Sequence, residues 1–335
     1  MILVTGGTGL LGAHLLYKLA RQGEKIRAIY RTGLKLEAVK KLFACYSDAS
    51  GDLFNSIDWV KADITDVPAL DVAFKQVDIV YHCAANLSFN PNDYKVSRDV
   101  NVVGTANIVN LCLNHKVTKL CHVSSIATLG ENLGSPITEE TPWNPENNQH
   151  NIYAITKYDA ELEVWRGVQE GLNAVVVKPS VILGSGFWNS GTGTLFNKIA
   201  NGFRYYTSGT VGVVGVNDVV KSMVELVKSD VKNEQFIVVS ENMSYHQLMT
   251  VITNSFGNTK ELKEVVKWQL LLYLRIDQLF GVLNIRKRTV FKANIKSAFK
   301  TLTYDASKLT NLLNFKFTPI KAVVVEITEN YKSSH

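Results

Sequence analysis

The sequence predicts an α/β protein with a doubly wound parallel sheet and a smaller, mostly helical C-terminal cap. Two features of roughly the first 180 residues lead to this prediction: short apolar runs alternate with segments of helical spacing, and the runs are rich in valine and isoleucine. Strands that are apolar on both faces are typical of a parallel sheet covered by helices on each side. The predicted strands are Ile2–Thr5, Lys25–Tyr30, Ile57–Lys61, Ile79–His82, Leu120–Ser124 and Ala174–Lys178.

The segments between these strands carry the helical spacing, for example Leu10–Arg21 and Val100–His115. A strand–helix–strand rhythm implies right-handed crossovers, which place helices on both faces of the sheet. The rhythm ends after Gly184. Residues 185–215 are rich in glycine, threonine and aromatic residues and predict loops, whereas residues 245–300 predict mostly helices.

Composition indicates a folded chain with a large core, because 46 % of its 335 residues are apolar and 20 % are charged. We expect residues 1–180 to form one domain, and residues 181–335 to form a substrate-binding cap that contributes strands and helices back to it. The net charge is +6 and basic residues occur along most of the chain, which argues against a nucleic-acid-binding protein.

The cysteines predict a reducing compartment, the cytoplasm. None of the four belongs to a CxxC pair, and three lie in apolar runs. They are expected to be buried thiols and to form neither a disulfide framework nor a metal site. These residues are Cys45, Cys83, Cys112 and Cys121.

Glycines with the spacing GxxGxxG directly follow the first predicted strand. A helix that begins there would present unpaired N–H groups and the positive end of its dipole, and both stabilise an anion. Glycines permit the tight turn and let a pyrophosphate approach without meeting a Cβ atom. A turn without a ligand is the alternative, but the succession of strand, glycines, helix and second strand favours dinucleotide binding. The candidate phosphate-binding residues are Gly6, Thr8, Gly9, Leu10, Leu11 and Gly12.

The end of the second strand, IRAIYR, indicates which dinucleotide binds. An acidic residue about 20 positions beyond the glycines would hold the ribose 2′-hydroxyl of NAD. Here Arg31 ends the strand instead, and Lys35 follows one helical turn later. Since a guanidinium pairs bidentately with a phosphate, NADP is the predicted cofactor. NAD remains the alternative if Arg31 is only a solvated surface residue.

Candidate proton-transfer residues lie in NIYAITKYDAE, where Tyr153 and Lys157 share one face of a predicted helix. A free tyrosine has a pKa of about 10, and a nearby ammonium would lower that pKa. Ser124 and Ser125 end a predicted strand about 30 residues earlier, at the edge of the sheet where a cofactor crevice would lie. A strand-end turn and a half-buried core tyrosine are the structural alternatives.

Taken in order, these motifs resemble the extended short-chain dehydrogenase/reductase family, also called the NAD-dependent epimerase/dehydratase family. TGGTGLLG, DIVYHCAA, NVVGTANIV, the serine strand, YAITK and KPSVILG occur in the family's order within about residues 1–225. The resemblance implies a Rossmann dinucleotide-binding domain. It also implies that Ser125 polarises the substrate oxygen, Tyr153 transfers the proton, and Lys157 binds the nicotinamide ribose and lowers the tyrosine pKa.

The resemblance implies further contacts with cofactor and substrate. Asp63 and Ile64 match residues at the adenine, and Asn101 matches a helix asparagine of the family. The other implied cofactor residues are Ala84, Ala85, Ser124, Pro179, Ser180 and Val181, and the candidate substrate residues are Asn86, Ser125, Thr128 and Phe187.

The sequence departs from the family pattern at positions that bear on the substrate. Lys178 replaces the usual arginine, Leu183 replaces a common aromatic residue, and Ser185 replaces a common proline. GVNDVV keeps the usual Asp218 but lacks the first histidine of the family's HVDDVA. None of these departures touches Ser125, Tyr153 or Lys157.

Residues 180–220 favour an apolar or cyclic substrate, because they contain one arginine, Arg204, and a nucleotide-sugar diphosphate usually needs several. The predicted function is an NADPH-dependent carbonyl reductase or alcohol dehydrogenase, nearest the dihydroflavonol-reductase and hydroxysteroid-dehydrogenase branch. A nucleotide-sugar epimerase or dehydratase with tightly bound NAD and a non-catalytic nucleotide sensor remain alternatives. The aromatic residues expected to line the substrate are Phe187, Trp188, Phe196, Phe203, Tyr205 and Tyr206.

A late amphipathic segment, residues 267–288, has two interpretations. Its apolar side either closes the substrate cleft, which is the prediction, or rests on a membrane with the basic run Arg286, Lys287 and Arg288 on anionic head groups. Arg275 and Asp277 interrupt it, so we expect no segment that spans a bilayer. The sequence leaves a homodimer open.

Overall fold

A seven-stranded sheet, parallel throughout, forms the centre of the protein. The computed structural model describes residues 1–46, 50–131, 134–148, 151–258, 260–282 and 291–335. The strands in this part of the chain are β1 (Ile2–Thr5), β2 (Ile26–Tyr30), β3 (Asp58–Lys61), β4 (Ile79–His82), β5 (Lys119–Val123), β6 (Ala174–Pro179), β7 (Val181–Leu183), β8 (Tyr205–Tyr206), β9 (Thr210–Gly215), β10 (Glu234–Val238), β11 (Glu241–Ser244) and β12 (Lys263–Glu264).

The spatial order of the main sheet is β10-β6-β5-β4-β1-β2-β3, the doubly wound arrangement that the sequence predicts. The six predicted strands are confirmed, with ends that differ by at most one residue. They were predictable because most of their residues are buried on both faces. The chain reverses its winding direction between β1 and β4, which opens a crevice at the carboxyl ends of these two strands.

Helices cover both faces of this sheet. The helices in the described ranges are α1 (Leu10–Arg21), α2 (Leu36–Tyr46), α3 (Ser50–Asn55), α4 (Val67–Ala73), α5 (Tyr94–Arg98), α6 (Gly104–Asn114), α7 (Pro145–Asn148), α8 (Ile152–Gln169), α9 (Gly193–Ala200), α10 (Val216–Lys228), α11 (Tyr245–Ser255), α12 (Lys267–Val282), α13 (Lys292–Ala298), α14 (Ser307–Leu313) and α15 (Ile320–Ser334). A π-helical segment, Asp99–Val103, joins α5 to α6.

Two apolar clusters hold the helices against the sheet. On one face α1, α2 and α10 contribute fully buried side chains such as Leu16, Phe43 and Met223. On the other face α6 and α8 contribute Ile108 and Val164. Burial of each such side chain stabilises the fold by about 1.5–3 kcal/mol.

The cap contains more regular structure than the sequence predicts. Residues 185–215 are not all loop, because they include α9, β8 and β9. Phe196 and Ile199 of α9 and Val213 of β9 are completely buried in a third apolar cluster, together with side chains of α11 and α15. These partners lie far away in the sequence, so local composition could not reveal them. Strand β10 returns from the cap half of the chain to the edge of the main sheet.

Gly12 is required where α1 packs against the preceding turn, since a Cβ atom there would lie 2.2 Å from the carbonyl oxygen of Gly6. Gly12→Ala is expected to lower the free energy of unfolding by about 1–3 kcal/mol, the usual effect of overpacking. Urea denaturation followed by circular dichroism measures the change.

Gly51→Ala is the matched control for this prediction, because a Cβ atom at Gly51 meets nothing within 4 Å. This helical position should gain about 0.5–1 kcal/mol from the change. Equal stability of the two variants would show that α1 can move away from the turn without loss.

Candidate active site

The turn between β1 and α1 is open to an anion. Gly6 has a φ of 68°, and a Cβ atom there would lie 2.6 Å from the backbone nitrogen of Ala84. Gly9 precedes the first residue of α1, and a Cβ atom on it would meet only the Gly6 carbonyl oxygen, at 3.5 Å. The first glycine therefore allows strand and loop to approach, and Gly9 leaves space at the helix N-terminus. This arrangement fits a pyrophosphate.

A cleft extends from this turn along the carboxyl ends of β1, β2, β3 and β4. Its position is the one expected of a dinucleotide site at the reversal point of a doubly wound sheet. Eight of the predicted cofactor residues line it: Gly6, Thr8, Gly9, Arg31, Asp63, Ile64, Ala84 and Ala85. Six lining residues were not among the candidates: Ile29, Tyr30, Lys35, Ala62, Cys83 and Val100.

The outer end of the cleft carries Arg31 and Lys35. Arg31 Nη1 lies 3.7 Å from Asp63 Oδ2, and Oδ1 of the same carboxylate accepts hydrogen bonds from the backbone and hydroxyl of Thr65. Partial burial acts to raise the pKa of Asp63, but the Thr65 hydrogen bonds and the Arg31 charge outweigh it and lower that pKa. The ionised Asp63 thus positions Arg31 at the cleft, where more than half of its side chain stays exposed.

Ser125, Tyr153 and Lys157 meet beyond the carboxyl end of β5. Asn151 caps α8 by accepting a hydrogen bond from the Ala154 backbone, which places Tyr153 in the first turn. Ser125 is the second residue after the strand end, and its side chain lies close enough to Tyr153 to lower the pKa of the phenol. Lys157 Nζ donates to the carbonyl oxygen of Val123, the last residue of β5, at 2.6 Å. The three predicted catalytic residues are therefore neighbours in the fold.

Burial shifts the pKa values of Tyr153 and Lys157. Burial raises the pKa of Tyr153, and the hydrogen bond with Ser125 opposes that rise. Burial lowers the pKa of Lys157 to about 8, against the attraction of the Glu161 carboxylate. The net direction for Tyr153 is therefore upward, because loss of solvent around the phenol outweighs the Ser125 hydrogen bond. That Lys157 lowers the tyrosine pKa stays a prediction.

A second layer of polar groups supports these residues, and sequence reasoning missed it. The buried Glu161 carboxylate accepts hydrogen bonds from Lys178 Nζ at 2.6 and 2.8 Å and from Ser124 Oγ at 2.6 Å. Lys178 Nζ also lies 2.8 Å from Thr128 Oγ1. The spacing of Tyr153 and Glu161, eight residues apart on one helix face, is the feature that could have indicated this partner.

Asn101 lies in the π-helical segment and connects the cleft to α8. Its Oδ1 accepts from the Asn86 backbone nitrogen at 2.7 Å, and its Nδ2 donates to Asn86 O and to Thr156 Oγ1, each at 3.0 Å. The side chain is almost completely buried. Asn101 therefore fixes the loop after β4 relative to the helix of Tyr153, and π-helical segments often occur at such functional positions.

The remaining cofactor candidates do not line the cleft described above. Leu11 is buried in the core below α1, and Leu10 packs against the same cluster. Pro179, Ser180 and Val181 form the junction of β6 and β7. Ser124 and Lys157 make the internal contacts given above.

The substrate candidates are dispersed in the structure. Ser125 lies beside Tyr153, and Asn86 is hydrogen-bonded to Asn101. The Thr128 hydroxyl is hydrogen-bonded internally to Glu161. Phe187 packs against the core cluster of α1 and α2.

The aromatic rings of residues 187–206, which the sequence predicts to line the substrate, are not the rings next to Tyr153. Most of these rings have other packing partners: Phe196 is buried in the cap, Trp188 contacts Tyr331, and Tyr206 contacts His246. Among the described side chains, the ring next to Tyr153 is that of Phe89, with centroids 5.8 Å apart. Phe89 belongs to the loop after β4.

The chain matches the model of the NAD dependent epimerase/dehydratase family over residues 2–238. It belongs to this family. The resemblance inferred from the motifs is thereby confirmed, and the protein is an NAD(P)-dependent enzyme of the extended short-chain dehydrogenase/reductase type.

Similar proteins in this family include reductase-type enzymes. The chain is 29 % identical over 265 residues to sterol demethylase protein B of Methylococcus capsulatus, a match that covers 77 % of this chain and 75 % of the relative. It is 24 % identical over 335 residues to a Synechocystis protein provisionally named dihydroflavonol 4-reductase, covering 96 % and 92 % of the two chains. The crystal structure of gox2253 superposes with a TM-score of 0.81 at 23 % identity, over 100 % of this chain and 98 % of that one, and shows the same fold.

Glu161→Leu is expected to lower the free energy of unfolding by about 3–5 kcal/mol, because it leaves the Lys178 ammonium buried without its counter-charge. Glu161→Leu/Lys178→Met removes both charges and should recover most of that loss. Urea denaturation of both variants measures the difference.

Glu163→Leu on the same helix is the control for this prediction. Glu163 pairs with Arg166 at a half-exposed position, so its loss should change stability by less than about 1 kcal/mol. If the double variant is as unstable as Glu161→Leu, the pair is not what holds α8 to β6.

Proposed function

We propose that the protein is an NADPH-dependent carbonyl reductase or alcohol dehydrogenase that acts on a small apolar or cyclic substrate. The observation that carries this proposal is the meeting of Ser125, Tyr153 and Lys157 beyond the end of β5. The cleft beside β1 supports it, since its glycines, open helix N-terminus and basic outer end suit a dinucleotide.

In the reductive direction Tyr153 gives its phenolic proton to the substrate carbonyl oxygen while Ser125 hydrogen-bonds to the same oxygen. Bound NADPH would supply the hydride. Burial keeps the phenol neutral, and a neutral phenol is the form that can donate a proton. Lys157 lies one helical turn beyond Tyr153 and provides the ammonium that stabilises the phenolate left after transfer.

NADPH is proposed over NADH because Arg31 and Lys35 lie together at the outer end of the cleft. An acidic residue at the end of β2 would repel a 2′-phosphate, and the strand ends with Tyr30 followed by Arg31 instead. Asp63, the second residue after β3, faces Arg31, so the guanidinium is held at the position where a phosphate can replace or share that partner.

An apolar or cyclic substrate is supported by two features. First, the apolar ring of Phe89 lies against Tyr153. Second, residues 180–220 contain one arginine, Arg204, whereas a nucleotide-sugar diphosphate usually needs several. The names of the relatives refer to a sterol and a dihydroflavonol, which are ring compounds with few charges.

An epimerase or dehydratase is the second candidate, favoured by the name of the matching family. Such enzymes retain tightly bound NAD and return the hydride to the substrate, so mass spectrometry of the purified protein separates the two functions. Copurified NAD, together with no turnover of added NADPH, would support the second candidate and contradict the first.

Tyr153→Phe is expected to lower turnover by roughly 10²–10⁴-fold, because it removes the transferred proton. Binding of NADPH should remain nearly unchanged. Steady-state rates of NADPH oxidation with a panel of cyclic ketones, and NADPH titration by fluorescence, measure the two quantities.

Tyr158→Phe is the matched control, since Tyr158 lies on the same helix and stacks on Trp143 with ring centroids 4.6 Å apart. It should turn over substrate at nearly the wild-type rate. Unchanged turnover in Tyr153→Phe would exclude this residue as the proton donor.

Arg31→Ala is expected to weaken NADPH binding by about 1.5–3 kcal/mol, the range for hydrogen bonds to a charged group. NADH lacks the 2′-phosphate, so its binding should hardly change. Titrating both cofactors against wild type and variant gives the comparison, and equal losses would mean that Arg31 does not contact the phosphate.

A further inference from the structure

Helix α12 turns several of its described large apolar side chains to solvent. Trp268 is 64 % exposed and Leu272 is 54 % exposed, while Leu271 and Ile276 are also exposed. Their spacing of three, four and eight residues from Trp268 places all four on one side of the helix. The sequence predicts that this side closes the substrate cleft, and the structure shows it facing outward.

The opposite side of α12 is the one that packs against the protein. Leu274 is 2 % exposed and Asp277 is completely buried. The single acidic residue in Lys267–Val282 is thus held away from the apolar side, which carries Arg275 near its middle. We call the exposed side, consisting of Trp268, Leu271, Leu272, Arg275 and Ile276, the outer face of α12.

The strands beside the start of α12 add exposed aromatic rings. Strand β12 pairs with β8, with Lys263 opposite Tyr205. Tyr205 is exposed, as is Phe203, and their ring centroids are 5.6 Å apart. Apolar side chains exposed in numbers on one part of a protein mark a contact site.

The net positive charge of the chain is concentrated in the same part of the sequence. Residues 260–300 contain ten lysines and arginines against three acidic residues, a net charge of +7, whereas the whole chain has +6. The rest of the chain therefore has a net charge of −1. Three of these basic residues, Arg286, Lys287 and Arg288, lie outside the described residues. Exposed Lys260, Lys263 and Lys267 precede the outer face, together with Glu261 and Glu264.

We propose that the outer face of α12 lies in the interfacial layer of an anionic lipid bilayer. Apolar and aromatic side chains enter the acyl boundary, while Arg275 and the lysines extend to the phosphate groups, which is how basic amphipathic helices bind membranes. No helix in the described part of the chain has the length and apolar character needed to span a bilayer. This inference does not depend on the substrate or the cofactor of the enzyme.

A second copy of the chain fits the outer face less well. A two-fold contact would bring Arg275 and the surrounding lysines of both copies together, and like charges brought together at an interface oppose association. Anionic head groups satisfy the same charges.

The test is co-sedimentation of the full-length protein with vesicles, using equal parts of phosphatidylcholine and phosphatidylglycerol or phosphatidylcholine alone. We expect binding to the anionic vesicles that weakens as salt is raised, and little binding to the neutral ones. Leu272→Glu should lower the partition coefficient at least about tenfold, since it places a charge where the proposal has a leucine enter the acyl boundary. Leu312→Glu is the matched control, because Leu312 is 49 % exposed on α14, and it should bind like wild type.

Trp268→Phe gives a second readout that does not require a disruptive change. Wild-type tryptophan emission should shift to the blue on anionic vesicles, and the shift should be largely lost in Trp268→Phe while sedimentation persists. Wild-type protein that stays in solution with anionic vesicles at low salt overturns the proposal. So does equal binding of Leu272→Glu and Leu312→Glu. A lipid-free dimer that Leu272→Glu converts to a monomer would also overturn it and assign the outer face to a second copy.

Discussion

The buried ion pair between Glu161 and Lys178 joins helix α8 to strand β6, and through Ser124 and Thr128 it reaches the turn after β5. Both side chains are at most 5 % exposed. A buried charge without its partner is unfavourable by several kcal/mol, so helix and strand can pack only in the register that brings these two together. Because Tyr153 precedes Glu161 by two turns of α8, the same register sets its position beside Ser125.

The Glu161–Lys178 pair also explains which charged groups lie near Tyr153, the candidate proton donor. Glu161 lies one turn beyond Lys157 and opposes the effect of burial on the lysine pKa, which keeps an ammonium accessible near neutral pH. The sequence singled out Lys178 as a departure from an arginine. In the structure a compact ammonium lies between one carboxylate and the Thr128 hydroxyl, a space in which a planar guanidinium would need further partners.

Local sequence patterns were sufficient to predict the main sheet and the residues that line the candidate dinucleotide cleft. The strands are recognisable because most of their residues are apolar, and Gly6 and Gly9 are recognisable because the turn needs them. Contacts between distant residues were not predictable. Asn101 and Thr156, whose hydrogen bond fixes α8, are 55 residues apart in the sequence. Helix α9 forms in a glycine-rich segment because it packs against α11 and α15, which also lie far away in the sequence.

Helix α12 shows a related limit of sequence periodicity. The spacing of its apolar residues defines a side of the helix but not the direction in which that side points. Among the described side chains of α12, Leu274 and Asp277 are the buried ones, and they decide the direction. A tryptophan and leucines on the exposed side leave apolar surface in water, which is unfavourable unless another surface covers it. The basic residues in this part of the sequence are the reason why we propose an anionic lipid surface for that role.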